Sequence, residues 1–172
     1  MKTLEEPDIH PKVRSFFERH AEEWIIGEPS LASDLFICSY VADAIAWLSI
    51  NWTRYREITD LCFMIIGTIP EKFHAEFIQN YAQKRKLHFL FSKDDLGALC
   101  DLKLASYIRN KPLKITYHDY SYQVIFENKH FEFKRLSLNA LEKASGFNFC
   151  IRTHKPKNAT TYHEQLRNRH QA

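Results

Sequence analysis

The chain predicts an α/β fold: a mostly parallel sheet flanked by helices, with an added antiparallel hairpin. Three observations carry this. Short apolar runs recur at residues 34–39, 61–67 and 87–91, and they are continuous rather than alternating, as strands buried on both faces are. Each is followed by a stretch with helical spacing, which is the alternation of a βαβ unit. Beyond residue 112 the pattern changes to three short strand-like segments.

Composition is consistent with this. A chain of 172 residues is expected to form one domain, residues 1–172. Hydrophobic residues make up 45% and aromatics 14%, enough for a core, and 4 Gly with 6 Pro argue against disorder or a fibrous repeat. Residues 1–11 are charged and lack an apolar segment, so no signal peptide is expected. The most apolar window, residues 61–70, is too short to span a bilayer, so no membrane partner is expected. Cys38, Cys62, Cys100 and Cys150 are widely spaced, as buried reduced thiols of a cytoplasmic protein would be. The nine histidines show neither HxH nor HExxH spacing, which disfavours a zinc site.

Taken in order, Val13, Phe16, Phe17, His20 and Trp24 fall at helical spacing. They predict an amphipathic helix over residues 11–26, with Pro11 in the first turn and Gly27 to Pro29 ending the N-terminal segment 11–28. Residues 34–112 form the predicted α/β core. A strand over 34–39 leads to a helix over 41–50. A second strand over 61–67 turns at 68–70 into a helix whose face carries Phe73, Phe77, Ile78 and Tyr81. A third strand over 87–91 leads through polar residues to a helix over 99–108. In the segment 113–153, strands are expected over 113–117, 122–126 and 131–133, with a hairpin turn at 127–130. Ser137 is the expected N-cap of a further helix and Gly146 its stop. A last strand is expected over 147–151. Residues 154–172 form a basic tail: Lys155, Lys157, Arg167 and Arg169 oppose Glu164 alone, while the rest of the chain holds 20 basic and 20 acidic residues. A basic tail on a neutral body points to a polyanionic partner or to a solvated terminus.

The loop after the third strand reads Phe-Ser-Lys-Asp-Asp-Leu-Gly, residues 91–97. It resembles the second acidic motif of the Toprim domain of topoisomerases, primases and related nucleases, Phe-Asp-x-Asp-x-Ala-Gly. Anchored on Gly97, Asp94 matches the second acid and Ser92 stands for the first. Residues 36–46, Phe-Ile-Cys-Ser-Tyr-Val-Ala-Asp-Ala-Ile-Ala, resemble the family's first motif: an apolar strand, a Glu, three residues, then Asp-Ala-Leu. Asp43 matches, and Ser39 occupies the place of the Glu. Residues 156–166 resemble the ending Pro-x-x-Lys-Asp-Trp-Asn-Glu-x-Leu of mobile-element and primase-like members, after a one-residue adjustment. Tyr162, Glu164 and Leu166 match, and Thr161 falls where the Asp would be. The resemblance covers residues 34–166.

The resemblance implies a Toprim-like (Rossmann-like) core and a site built from those loops. In the family, clustered carboxylates hold magnesium and the Glu handles the proton in phosphodiester chemistry. With Ser39, Ser92 and Thr161 in place of three acids, a degenerate site (Ser39, Asp43, Ser92, Asp94, Asp95) is expected. No catalytic residue and no cofactor are expected, since a serine hydroxyl without a base cannot take the Glu's role and one or two carboxylates hold magnesium poorly. Lys93, Arg152, Lys155, Lys157, Arg167 and Arg169 are the expected nucleic-acid contacts. The function implied is a nucleic-acid-binding accessory, DNA rather than RNA, in replication or mobilisation of a mobile element. Two alternatives stay open. One is a non-enzymatic protein-interaction module, with the basic tail and the helix of Trp24 engaging a partner. The other is a metal-dependent nuclease or primase-type phosphotransferase, with magnesium at Asp94 and Asp95.

Overall fold

The computed structural model describes residues 9–19, 24–82 and 84–169. Helix α1 (Pro11–Glu18) precedes a short strand β1 (Ile25–Ile26). The units that follow are β2 (Asp34–Cys38) with α2 (Val41–Asn51), β3 (Leu61–Ile65) with α3 (Lys72–Tyr81), and β4 (Lys86–Phe89) with α4 (Asp95–Ile108). The antiparallel strands β5 (Leu113–His118), β6 (Ser121–Phe126) and β7 (Lys129–Phe133) come next. Helix α5 (Leu138–Ser145), strand β8 (Ile151–Thr153) and helix α6 (Tyr162–Arg169) complete the chain.

The main sheet has the order β1-β3-β2-β4-β8, parallel except for β1. In register, Ile37 of β2 lies opposite Met64 and Phe89. The two faces of each strand feed two cores. Leu35, Ile37, Met64 and Phe89 pack with α3, α4 and α5, whereas Phe36, Cys38, Phe63 and Leu90 pack with α1, α2 and α6. Both faces of the sheet are thus covered, which is why its strands read as continuous apolar runs. Each fully buried Phe or Leu contributes about 1.5–3 kcal/mol. Among the described residues, no helix is long and apolar enough to cross a membrane.

The second sheet, β5-β6-β7, is a meander rather than a single hairpin. Its turn at Glu127 and Asn128 falls within the predicted one, and a second turn sits at Asp119 and Tyr120. All four residues have positive φ, 48°, 64°, 48° and 61° respectively, as tight two-residue hairpin turns require. Val124 and Phe126 join the core under α4 and α5.

Several boundaries differ from the sequence expectation, among them those of the N-terminal helix, the third and last strands and α4. The N-terminal helix ends at Glu18 rather than reaching residue 26, and Ile25 and Ile26 instead pair with Met64 and Phe63 as an edge strand. Trp24 lies against Phe73, His74 and Phe77 of α3, not on the stripe of α1. His20 lies outside the described residues. The last strand is shifted from 147–151 to Ile151–Thr153, because Phe149 turns into the core and Cys150 has φ 55°, which interrupts an extended run. The third strand is Lys86–Phe89 rather than 87–91, and α4 begins at Asp95, four residues early, because Asp94 caps it.

Candidate functional site: a hydroxyl-lined cleft at the sheet's switch point

Strand β2 is central, with β3 on one side and β4 on the other. The chain therefore reverses direction across the sheet between β3 and β4. Crevices outside the carboxyl ends of the strands open at such a switch point. A cleft of about 160 Å³ lies there, lined by Ser39, Tyr40 and Asp43 after β2, Thr68 after β3, Ser92 and Asp94 after β4, and Thr161 before α6. Of Ser39, Asp43, Ser92, Asp94, Asp95 and Thr161, all but Asp95 meet in this cleft. Asp95 does not line it. It is exposed and lies toward the Tyr122 phenol, whose pKa it raises by hydrogen bonding.

Three helices begin at the cleft: α2, α4 and α6. Helix N-termini carry unpaired amides and a partial positive charge, and the chain's own acids meet two of them. Asp94 Oδ1 accepts from the Gly97 amide at 2.8 Å and from Ser92 Oγ at 2.6 Å. A Cβ at Gly97 would lie 2.0 Å from the Ser92 carbonyl oxygen, so this loop needs glycine there. The Ser-x-Asp-x-x-Gly pattern is thus a helix cap with a close backbone approach. Burial pushes the Asp94 carboxyl up, but the Ser92 hydroxyl, the Gly97 amide and the charge of Lys155 outweigh it and hold the group below the usual carboxylate range.

Asp43 serves α6 from a distance. Its Oδ1 accepts from the His163 amide at 3.0 Å, and Thr161 Oγ1 accepts from the Glu164 amide at 3.1 Å. Between them they satisfy the first turn of α6. The neighbouring Tyr162 phenol is pushed up, mainly by burial and secondarily by Asp43. Helix α2 has no such cap: Tyr40 precedes it without a side-chain bond to its amides. The Tyr40 hydroxyl instead pairs with Thr68 Oγ1 at 3.1 Å. Among the described residues, the Ser39 hydroxyl has no hydrogen-bond partner.

The predicted basic contacts do not gather in the cleft. Lys155 Nζ lies 2.7 Å from Asp101 Oδ2 and donates to the carbonyls of Phe91 and Ser92 at 3.1 and 2.9 Å. It supports the acidic loop from beneath. Lys93 Nζ donates to the Lys157 carbonyl at 3.0 Å, and its amide donates to the Thr160 carbonyl at 2.8 Å, tying two loops together. Lys157 uses its amide on Gln165 Oε1 at 2.6 Å. Arg167 and Arg169 are exposed on the last turn of α6, and Arg152 sits on β8 opposite His88.

Sequence reasoning missed two buried polar groupings. Asp101 is 1% exposed, and its Oδ1 has no partner. Burial pushes it up to about 6 against the opposing charge of Lys155. The second is a line across the sheet: Ser33 Oγ donates to Asp34 Oδ2 at 2.5 Å, Asp34 Oδ1 meets His88 Nε2 at 2.8 Å, and His88 Nδ1 meets His154 Nε2 at 2.8 Å. The available signals were an Asp amid the apolar positions of a helix and a His within an apolar strand.

The donors at the cleft do not fit a resident magnesium ion. Asp43 and Asp94 each engage an oxygen on a helix amide, and the other donors are neutral hydroxyls, whereas the ion needs near-octahedral hard oxygen ligands. Among the described residues, no three His, Cys, Asp or Glu side chains are grouped to hold a metal. Comparisons with protein-family models, with curated proteins and with solved structures give no match.

Proposed function

We propose that the chain is a catalytically degenerate Toprim-like domain that contacts nucleic acid, DNA rather than RNA, without a metal. Its role would be that of an accessory in replication or mobilisation of a mobile element. The observation that supports this reading is the meeting of Ser39, Asp43, Ser92, Asp94 and Thr161 in one cleft at the switch point. Those residues are separated by up to 122 positions in sequence, and the motif resemblance had aligned each with a site position. Where family members have three acids, this cleft has three hydroxyls. Its two remaining carboxylates are turned to helix amides, and α2 presents an uncapped N-terminus, a suitable partner for a phosphate oxygen.

Fluorescence anisotropy of labelled single- and double-stranded DNA, with a chelator present, tests this. Binding is expected at low salt, with log K falling linearly in log salt concentration. No binding of either strand form at low salt overturns it. Magnesium-stimulated nicking that Asp94→Asn abolishes would overturn the degenerate assignment, because Asn retains the cap and loses the charge.

A second reading has its own observation. Between α1, α2 and α6 lies a groove of about 530 Å³, lined by Ile9, Phe17, Val41, Ile45 and Leu166 with Arg14 and Glu18 at its rim. This apolar groove with charged edges suits a protein partner. A defined partner that co-purifies while DNA binding is absent would favour it.

A further inference from the structure

We infer that Arg54, Arg152 and His154 form a phosphate-binding site on the α2 face of the sheet, held in place by the buried chain Asp34–His88–His154. This site is separate from the cleft and does not rest on the cleft's reading.

The geometry begins with Asp34 on β2 and His88 on β4, which face the same side of the sheet as Phe36. Asp34 takes one hydrogen bond from Ser33 and one from His88 Nε2, so its charge is turned inward. With Nε2–H committed to the carboxylate, His88 Nδ1 is a lone pair. The proton in the 2.8 Å contact must then come from His154 Nε2. That fixes the tautomer of His154 and leaves its Nδ1 as the one open position at the end of the chain, an arrangement in which a second group sets the orientation of the first. The His154 ring is packed on Trp47, at 5.9 Å between centroids, and its amide donates to the Phe89 carbonyl at 2.8 Å, so its position is well defined.

Two guanidinium groups flank it. Arg152 is paired in register with His88 and lies two residues before His154, so all three side chains face the same side. Arg54 precedes Tyr55, whose ring packs on Trp47 and Phe36, the same two residues that contact His154. Burial, His88 and the charges of both arginines hold the His154 pKa down, in keeping with this placement, while burial and Asp34 act on Tyr55 against the arginines. Among the described residues, neither guanidinium makes an ion pair or a hydrogen bond. The two unpaired forks are donors, and the His154 Nδ1 lone pair is an acceptor for a protonated phosphate oxygen. A tetrahedral oxyanion matches the fork geometry of arginine.

The test uses the full chain with its histidine ring signals, His154 being assigned through His154→Gln. Inorganic phosphate is titrated at constant ionic strength against chloride. A saturable shift of the His154 and His88 signals is expected. Arg54→Ala and Arg152→Ala should each weaken binding about tenfold. Both side chains are exposed, so the backbone amide signals of the free variants away from the substituted residue should stay in place and report an intact fold. Arg152→Lys should retain part of the affinity, as a point charge without the fork. A 5′-phosphorylated and a 5′-hydroxyl oligonucleotide distinguish the source. A shift from the phosphorylated strand alone assigns a terminal phosphate, and equal shifts assign backbone diesters. No shift beyond the chloride control with any of the probes overturns the site, as does a phosphate shift that the two alanine variants leave unchanged. Neither result depends on DNA binding by the cleft.

Discussion

The cleft and the histidine line are two polar regions built on the same sheet, and they handle charge in opposite ways. In the cleft almost every charge has an internal partner. Asp94 caps α4, Asp43 meets the first turn of α6, and Lys155 is bound to Asp101 beneath the loop. In the histidine line the single carboxylate faces inward, and the two arginines at the outer end have no partner. The region with recognisable motifs therefore has few free charges, and the region without any motif has two. Motifs locate where loops meet. Which charges remain available to a ligand follows only from accounting for each partner.

The largest expected effect breaks the cleft's internal pairing. Lys155→Met leaves the Asp101 carboxylate buried and alone, and removal of one partner of a buried pair costs about 3–5 kcal/mol. Urea denaturation should show that loss at pH 7, and adding Asp101→Asn to Lys155→Met should recover most of it. A double variant no more stable than Lys155→Met would mean that Lys155 acts through the Phe91 and Ser92 carbonyls alone. Gly97→Ala should come next. Its Cβ would meet the Ser92 backbone oxygen, and forcing the loop open costs about 1–3 kcal/mol. Asp94→Ala removes a cap and should cost about 1 kcal/mol, while Asp94→Asn should cost little.

Stability against pH sharpens the comparison, because Asp101 beneath the cleft and the histidine line contribute with opposite sign. Burial holds His88 below its ordinary value and His154 down to about 4. Below pH 6.5 the unfolded chain takes up protons that the folded line refuses, so this contribution is lost as pH falls from 6.5 toward 4. Asp101 is raised to about 6, so in the window from 6 down to 3.8 the folded state takes the proton first and gains stability as pH falls. Asp101→Asn should therefore make the acid loss steeper, and His154→Gln should make it shallower. Denaturation midpoints at pH 7, 6, 5 and 4.5 measure both slopes. Identical slopes in the two variants would contradict the opposed contributions.

The sequence revealed the three central strands β2, β3 and β4 because burial on both faces writes a continuous apolar run, but it missed the edge strand β1 and placed β8 too early. It revealed Ser137 and Gly146 because caps are local: Ser137 Oγ accepts from the Ala140 amide at 2.9 Å, and Gly146 has φ 75°. The N-terminal helix was overextended because Trp24 fits a helical period equally well when it packs on α3. The internal partners of Lys93 and Lys155 were not legible because a lysine in sequence carries no sign of its partner. Lys155 lies 54 residues from Asp101, and only the parallel pairing of β8 with β4 brings them together.

The smallest expected effect separates two adjacent acids that the sequence treats alike. Asp94 and Asp95 are one residue apart, both at the start of α4, and either could be read as a metal ligand. Asp94 holds the Gly97 amide and the Ser92 hydroxyl, whereas Asp95 is exposed in the first helical turn and lies outside the cleft. Its benefit is a favourable interaction with the helix N-terminus, about 0.3–1 kcal/mol at low ionic strength and screened by salt. Asp95→Asn should thus lower stability by no more than about 0.5 kcal/mol, a difference that vanishes at high salt, and should leave phosphate and DNA binding unchanged. A larger loss, or one that persists in salt, would mean that Asp95 belongs to the cleft after all.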